Sequence, residues 1–195
     1  MIAIVDYDTG NLRSVENCLR RLGADYVVSS DAEVIAGAGR VILPGVGEAA
    51  TAMRNLHARG LPGVIGSLRQ PVLGICIGLQ LMCRHSEEGD TECMGIFDTR
   101  VRRFEGAGPD LKIPHMGWNT IEHLSTPLLK GIREGEFVYF VHSYAPDPCE
   151  QTVATTVYGR PFSAAIAREN FYGTQFHPEK SGGVGERIMR NFLTL

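Results

Sequence analysis

The stretch Pro71-Val72-Leu73-Gly74-Ile75-Cys76-Ile77-Gly78-Leu79-Gln80 decides the fold of this chain. Its apolar part, Val72 to Ile75, is typical of a buried parallel strand, because strands covered on both faces are continuously hydrophobic. The residues from Ile77 onward fit the start of a helix. Cys76 is therefore predicted to lie where a strand turns sharply into a helix, the repeating unit of an α/β protein with a mainly parallel sheet.

Glycines two positions on either side of Cys76 complete the G-x-C-x-G form of a nucleophile elbow. Gly74 and Gly78 allow the strand and the helix to approach closely around a strained nucleophile. A helix N-terminus favours the thiolate form of a cysteine, and the amide of Ile77 is expected to point at a substrate oxyanion. The alternative for this pentapeptide is a buried core cysteine at a strand end, since free cysteines are often buried.

A second stretch, Thr174-Gln175-Phe176-His177-Pro178-Glu179, favours the catalytic interpretation. His177 and Glu179 are two residues apart at a predicted strand end, so their side chains are expected to project from the same face. A base held by a carboxylate is what a thiol nucleophile requires. We therefore predict a Cys76–His177–Glu179 triad and not an exposed loop at residues 177–179.

Upstream of the elbow, strands alternate with helices. Strands are predicted at 2–5, 26–28 and 40–43, with helices at 12–22 and 48–59 and a turn at Thr9-Gly10. The loop Pro44-Gly45-Val46-Gly47 ends the third strand, and ligands of open parallel sheets bind at the carboxyl ends of strands. This loop is thus expected on the same edge as Cys76, where its flexible backbone can lend an amide to an oxyanion.

Downstream of residue 86 the alternation stops. Short strands at 94–97, 99–104 and 118–123 predict a small antiparallel extension, with 112–118 as a loop that carries the single Trp. Residues 137–141 predict a central strand, 152–157 and 162–167 an antiparallel pair, 172–176 the strand that delivers His177, and 185–195 a closing helix. His142, directly after the strand at 137–141, is a rival base for Cys76; His177 is preferred because Glu179 orients it.

Composition bounds the class of protein. The 195 residues are 44% hydrophobic with a formal charge of −3 and no basic run, which predicts one soluble domain over 1–195 and argues against nucleic-acid binding. The sequence shows no apolar run long enough to span a membrane. It also shows no N-terminal signal sequence. The five cysteines form no C-x-x-C pair, as expected for a reducing cytoplasm without a disulfide framework or a zinc site.

Five segments together resemble the class I (triad) glutamine amidotransferases. They are Gly74–Gln80, Pro44–Gly47, Pro114-His-Met-Gly-Trp-Asn119, Phe140-Val-His-Ser-Tyr144 and Gln175-Phe-His-Pro-Glu-Lys-Ser181. The likeness covers almost the whole chain, and the Pro114 and Gln175 segments are most similar to the branch of glutaminase subunits of imidazole glycerol phosphate synthase. The resemblance implies an α/β fold with helices on both faces of the sheet and hydrolysis of glutamine to glutamate and ammonia. It also implies a heterodimer with a cyclase subunit that makes imidazole glycerol phosphate and AICAR in histidine biosynthesis.

The resemblance also implies the roles of further residues. Substrate contacts are expected from Gly45, Val46, Gly47, Ile77, Gln80, Ser143 and Tyr144, with the Val46 amide as a movable oxyanion donor. The partner face is expected to include Pro114, His115, Met116, Trp118 and Lys180, since Trp is a frequent interface anchor. No metal or organic cofactor is implied. One position departs from the family: relatives commonly carry Glu four residues after Gln80, where this chain has Arg84, while Glu87 and Glu88 have no assigned role.

Two alternatives remain at this stage. One is the glutaminase of another triad amidotransferase, such as a pyridoxal-phosphate or anthranilate synthase, against which the Pro114 and Gln175 segments argue. The other is a non-catalytic scaffold of the same fold, against which the intact Cys-His-Glu set argues.

Overall fold

A seven-stranded sheet forms the centre of the protein, whose computed structural model describes residues 1–8, 12–105 and 111–195. The strands are β1 (Ile2–Val5), β2 (Tyr26–Ser29), β3 (Arg40–Leu43), β4 (Val72–Ile75), β5 (His85–Ser86), β6 (Thr91–Glu92), β7 (Arg100–Arg103), β8 (His115–Thr120), β9 (Phe137–His142), β10 (Tyr144–Pro146), β11 (Thr152–Tyr158), β12 (Arg160–Arg168) and β13 (Phe171–Thr174). The helices are α1 (Arg13–Arg21), α2 (Ala32–Gly37), α3 (Ala49–Ala58), α4 (Leu61–Ser67), α5 (Ile77–Met82) and α6 (Gly182–Phe192). The turn predicted at Thr9-Gly10 lies outside the described residues.

The order of the central sheet is β11-β12-β13-β4-β3-β1-β2. The five strands from β13 to β2 are parallel, whereas β11, β12 and β13 are joined in antiparallel pairs. All residues of β1 and β4 are buried apolar residues or glycine, because helices cover both faces of this part of the sheet. Across the sheet, the chain moves one way from β1 to β2 and the other way from β2 to β3 and from β3 to β4. Since crossovers between parallel strands are right-handed, α1 lies on one face of the sheet and α2, α3 and α4 lie on the other. The predicted α/β fold is thus confirmed.

The predicted antiparallel extension consists of two small sheets, with order β10-β7-β5-β6 and β8-β9. All their pairs are antiparallel except β5 and β7, which are parallel. The strand predicted at 99–104 is confirmed as β7. Residues 94–97 form no strand, because their chain closes around α5 through backbone bonds such as Met94 N–H to Leu81 O (2.9 Å) and Phe97 N–H to Met82 O (2.8 Å).

Two predictions about the strands β8 and β9 were wrong. Trp118 lies inside β8 and not in a loop, since β8 begins at His115 and pairs with β9 in register from His115↔His142 to Thr120↔Phe137. The strand β9 pairs with β8 alone in the described chain and is not part of the central sheet. The glycine and proline before Trp118 had suggested a loop, but alternation of buried and exposed residues along β9 supports a two-stranded ribbon.

The closing helix is α6, which begins three residues before the predicted start.

Candidate active site

Cys76 lies at the sharp turn between β4 and α5, as predicted. Its backbone has φ 53° and ψ −108°, a conformation that residues with a side chain rarely adopt. The turn is held by the Cys76 N–H, which donates to Thr174 O (2.7 Å), and by the Cys76 carbonyl, which accepts from Gln80 N–H (3.2 Å). Such strain persists only where the surrounding structure supports it, and it is common at active sites.

The two elbow glycines are required by close packing. A Cβ atom at Gly78 would lie 1.9 Å from the carbonyl oxygen of Leu43, at the end of the neighbouring strand β3. A Cβ atom at Gly74 would lie 2.4 Å from the Met82 side chain and 2.7 Å from the backbone of α5. Neither position can accept a larger residue without moving backbone, so the G-x-C-x-G pattern reflects contact between β3, β4 and α5.

His177 and Glu179 form the predicted pair next to Cys76. The Nδ1 atom of His177 is 2.7 Å from Oε1 of Glu179, and both side chains are 4% exposed. His177 and Cys76 line the same pocket, and the interaction with Cys76 is one of the two that raise the pKa of the ring. Burial favours the neutral ring, but the hydrogen bonds and charges of Cys76 and Glu179 outweigh it and raise the pKa of His177 from 6.5 to about 10. The protonated form of the ring is therefore favoured by its two partners.

The reason given for this pair from the sequence was wrong in one detail. Residues 178–180 form a short 3-10 turn directly after His177, so the pair does not lie along a strand. Backbone bonds position this turn: the His177 N–H donates to Tyr139 O (2.9 Å), and the Ser181 hydroxyl donates to His177 O (2.6 Å). The strand β9 therefore helps to hold the candidate base.

A pocket of about 300 Å³ opens above Cys76. It brings together Gly45, Val46, Gly47, Ile77, Gln80, Ser143 and Tyr144, all predicted as substrate contacts, with His177 and with Pro114 and Lys180 from the predicted partner face. A larger polar depression of about 610 Å³ around Arg84, His85 and Cys93 shares no lining residue with it. The structure places Arg84 in that depression, paired with Asp98 at 3.0 Å, and thus away from Cys76.

The loop at residues 44–47 packs directly on the elbow. A Cβ at Gly45 would lie 2.6 Å from Cβ of Ile77, so the loop backbone reaches the first residue of α5. Gly47 has φ +98° in open space, a conformation suited to glycine alone. The Tyr7 hydroxyl donates to the Pro44 carbonyl and anchors the start of the loop. The loop is therefore anchored at Pro44 and Gly45, and Gly47 is its least constrained position.

Gln80 lies in the pocket wall but is almost fully buried, with 1% exposure. Its Nε2 donates to the Tyr144 carbonyl (2.9 Å) and to Oε1 of Gln175 (2.9 Å), and its Oε1 has no hydrogen-bond partner among the described residues. The side chain expected to contact substrate thus holds the backbone of Tyr144 in place. On either side of Tyr144 the strand β10 bonds to β7: Phe104 N–H donates to Ser143 O, and Asp147 N–H donates to Arg100 O. Alternate residues of an antiparallel pair direct their N–H and C=O groups to opposite sides. The N–H and C=O of Tyr144 therefore point away from β7.

His142 is not arranged as a base for Cys76. Its Nδ1 is 2.8 Å from the Tyr144 carbonyl and its Nε2 is 3.0 Å from Nδ1 of His115, so both ring nitrogens are occupied. Burial lowers its pKa to about 3. His115 is buried as well, with its ring stacked on Tyr158 at a centroid distance of 3.9 Å. It therefore does not present its side chain on the predicted partner face, where sequence analysis had placed it.

The other predicted partner-face residues lie near the pocket. Met116 is 62% and Trp118 is 55% exposed on the outer side of β8, and the Trp118 ring contacts Tyr139 of β9 edge-on at 6.0 Å. Phe137, opposite Thr120, adds a third large exposed apolar side chain to this ribbon. Exposed apolar side chains next to a pocket are typical of a protein-binding surface.

Sequence analysis missed two residues of the site. Glu88 lines the pocket, and its Oε2 accepts from the Ala49 N–H (2.8 Å) at the start of α3; burial raises its pKa. Gln175 is fully buried with its Nε2 3.6 Å from Cys76 Sγ. The only sequence signal for Gln175 was its place two residues before His177, and the signal for Glu88 was a carboxylate without an assigned role.

Within the described ranges, no group of three or more His, Cys, Asp or Glu residues is arranged to hold a metal ion. In that same part of the chain, no helix combines the length and the apolar character needed to cross a membrane.

Comparisons with known proteins agree with this geometry. The family model described as "Glutamine amidotransferase class-I" matches residues 3–195. The chain is 58% identical over 194 residues to a protein of Bacteroides fragilis named imidazole glycerol phosphate synthase subunit HisH, covering 100% of this chain and 99% of that protein. It is 55% identical to the protein of that name in Bacteroides thetaiotaomicron with the same coverage, and 46% identical over 202 residues to the one in Shewanella loihica, covering 98% and 89% of the two chains.

Solved structures show the same fold at low identity. A crystal structure described as a glutamine amidotransferase superposes with a TM-score of 0.75 at 19% identity and covers 100% of this chain and 98% of that one. The glutaminase domain of Trypanosoma brucei CTPS with bound acivicin gives a TM-score of 0.66 at 17% identity, covering 99% and 93%.

Proposed function

Because the chain belongs to the class I glutamine amidotransferases, we propose that it is the glutaminase subunit of an imidazole glycerol phosphate synthase and works in histidine biosynthesis. It is an enzyme that hydrolyses glutamine, and residues 1–195 act as a single amidotransferase domain. The observation that carries the proposal is a strained Cys76 facing a buried His177 whose Nδ1 lies 2.7 Å from Glu179. The non-catalytic scaffold is disfavoured because a scaffold has no need of this strain or of a buried ion pair.

Cys76 is the proposed nucleophile. Its sulfur, paired with the His177 imidazolium, attacks the amide carbon of the glutamine side chain. The oxygen that becomes negative is proposed to accept hydrogen bonds from the amides of Ile77 and Val46, which line the pocket at its two sides. His177 then donates its Nε2 proton to the leaving nitrogen, the C–N bond breaks, and ammonia departs while a thioester remains on Cys76.

Hydrolysis of the thioester reverses the role of His177. The neutral ring takes a proton from a water molecule, the water oxygen attacks the thioester carbon, and the C–S bond breaks to return the electron pair to Cys76. Glu179 keeps the Nδ1 proton of the ring directed at Oε1 and stabilises the imidazolium that forms in both halves of the reaction.

The α-carboxylate and the α-ammonium group of the substrate glutamine both require partners in the same pocket. The peptide groups of Ser143 and Tyr144 are proposed to bind its carboxylate, because the Tyr144 N–H points away from β7. Glu88 is proposed to bind the α-ammonium, since it is the carboxylate that lines the pocket together with Gln80. A positive charge next to Glu88 would also offset the burial that raises its pKa.

Ammonia is proposed to pass to a cyclase subunit that covers the pocket. The exposed apolar residues Met116 and Trp118 and the pocket residues Pro114 and Lys180 form the proposed contact with that subunit. The synthase reaction uses a substrate with phosphate groups, and among the described residues the pocket above Cys76 contains a single Lys or Arg side chain, Lys180, and thus no phosphate clamp. Glutamine hydrolysis and ring formation are therefore assigned to different subunits.

The experiment that tests this division combines the chain with a cyclase subunit and compares two nitrogen sources. The Cys76→Ala complex should lose glutamine-dependent synthesis, because the nucleophile is absent, and should keep synthesis from added ammonium salt at raised pH. Cys149→Ala, at a half-exposed cysteine outside the pocket, is the matched control and should behave as wild type. Failure of ammonia to rescue Cys76→Ala would contradict the two-subunit division, and glutamine hydrolysis by Cys76→Ala would contradict the assignment of the nucleophile.

A further inference from the structure

Gln175 is a buried amide in contact with the sulfur of Cys76. It follows the last residue of β13 and is fully buried, with its backbone N–H bonded to Ala164 O (2.8 Å). Its Nε2 is 3.6 Å from Cys76 Sγ and its Oε1 is 2.9 Å from Nε2 of Gln80. The proposed roles of Cys76, His177 and Glu179 leave this side chain without a function.

The hydrogen-bond network determines which end of the Gln175 amide faces the sulfur. The oxygen and nitrogen of an amide side chain are distinguished by their partners. The Tyr144 carbonyl can only accept, so the atom of Gln80 that contacts it is the donor Nε2. The second hydrogen of that nitrogen requires an acceptor on Gln175, which places Oε1 of Gln175 towards Gln80 and its N–H groups towards Cys76.

The Tyr144 carbonyl is itself held by a chain of hydrogen bonds with one direction. Asn119 Nδ2 donates to His115 Nε2 (3.3 Å), His115 Nδ1 donates to His142 Nε2 (3.0 Å), and His142 Nδ1 donates to Tyr144 O (2.8 Å). The far end is fixed by backbone, because Asn119 Oδ1 accepts from Thr120 N–H (2.8 Å) and Asn119 Nδ2 also donates to Val157 O (3.1 Å). Both histidines are therefore uncharged, as their lowered pKa values of about 4 and about 3 also indicate.

We propose, on the basis of the proposed glutaminase function, that Gln175 is a further catalytic residue whose side-chain N–H donates to the thiolate of Cys76. Gln80, with the Tyr144 carbonyl behind it, is the positioning residue that keeps the N–H directed at the sulfur. The same N–H faces the charge that returns to sulfur when the C–S bond of the thioester breaks. Gln175 thus stabilises the thiolate of Cys76 in the resting enzyme. It also stabilises the same thiolate when it leaves the thioester carbon.

Gln175 is an uncharged donor to the sulfur of Cys76, whereas several other side chains around that sulfur are titratable. Within the described chain, the titratable or charged side chains that share the pocket or the triad with Cys76 are Glu88, His142, Tyr144, His177, Glu179 and Lys180. Of these, His177 is the group whose protonated form is favoured by Cys76, and the ring nitrogens of His142 are directed at Tyr144 and His115. Gln175→Met therefore removes the donor to the sulfur and the acceptor of Gln80 without changing any charge, whereas Gln175→Glu keeps the acceptor and removes the donor.

The test measures the alkylation rate of Cys76 by iodoacetamide as a function of pH in the full chain, with the labelled peptide identified by mass spectrometry. Gln175→Met keeps the length of the side chain and removes the donor. The midpoint of the pH profile should move up by about one pH unit, and kcat for glutamine in the assembled complex should fall about tenfold with little change in KM. Gln175→Glu, of the same shape, faces the sulfur with a carboxylate and should move the midpoint further in the same direction.

The matched control is Gln151→Met, because Gln151 accepts from Asp98 N–H far from the pocket and should leave the midpoint unchanged. A structural role alone would lower thermal stability without moving the midpoint. Should Gln175→Met fail to fold, the isosteric Gln175→Glu provides the same measurement. A wild-type midpoint in both Gln175 variants would overturn the proposal while leaving the glutaminase function intact. A shifted midpoint in a chain whose assembled complex does not hydrolyse glutamine would support the contact and overturn the proposed function.

Discussion

Replacing Glu179 with glutamine separates the charge of this side chain from its shape. Oε1 accepts from Nδ1 of His177 at 2.7 Å in a site where both side chains are 4% exposed. Glutamine has the same size and keeps an acceptor for that proton. Its NH₂ group would take the place of Oε2, which is buried without a hydrogen-bond partner in the described residues. The ring orientation is therefore preserved while the negative charge is lost.

The magnitude of the effect follows from the pKa of His177. Burial opposes its protonation, yet Cys76 and Glu179 together raise the pKa from 6.5 to about 10. At about 1.4 kcal/mol per pH unit this is about 5 kcal/mol in favour of the imidazolium. A hydrogen bond to a charged group contributes about 1.5–3 kcal/mol, so Glu179→Gln should lower the pKa of His177 and reduce kcat about 10- to 150-fold.

The assay is glutamate release by the assembled complex over a range of pH. Since the imidazolium donates its proton to the leaving nitrogen of the glutamine amide, a lower pKa of His177 should move the alkaline limb of the profile towards neutral pH. Glu186→Gln is the matched control, because Glu186 is half-exposed on α6 and pairs with Arg190 at 3.3 Å. Wild-type kcat together with an unmoved alkaline limb in Glu179→Gln would refute the role given to the carboxylate.

Three further predictions concern the substrate, the partner and acid stability. Glu88→Gln should raise KM for glutamine about tenfold with kcat nearly unchanged, because it removes the charge proposed to bind the α-ammonium; an unchanged KM in steady-state assays would exclude that role. Trp118→Ala should weaken assembly with the cyclase subunit by about 2 kcal/mol in titration calorimetry, whereas Val157→Ala, at an exposed apolar residue of β11, is the control; equal affinities would place the interface elsewhere. Burial lowers the pKa of His142 from 6.5 to about 3 and that of His115 from 6.5 to about 4. As the pH falls below about 6, these two histidines therefore bind protons in the unfolded chain but not in the folded one. The free energy of unfolding should fall by about 1–3 kcal/mol as the pH is lowered from about 6 to about 5. His177 does not oppose this slope, since below about pH 6 its ring is protonated in both states; a flat free energy in urea titrations would contradict the neutral histidine pair.

Much of the active site was predictable because its residues are close in sequence. The elbow around Cys76 depends on a short apolar strand, two small residues and a helix start, all within ten positions. His177 and Glu179 are two positions apart, so no long-range packing was needed to pair them, although the 3-10 turn that joins them was not foreseen. The βα units of the first half follow from hydrophobic periodicity in the same way.

Local sequence patterns therefore specify the parallel α/β half of the fold and the residues of the proposed triad. Only the folded chain shows that β8 and β9 form a separate ribbon, that His115 is buried, that Glu88 lines the pocket, and that Gln175 contacts Cys76. Gln80 and Gln175 are 95 positions apart, and His115 and His142 are 27 apart. Contacts over such separations depend on strand order and register, which residue spacing does not record, and the direction of each hydrogen bond depends on partners that only the folded chain brings together.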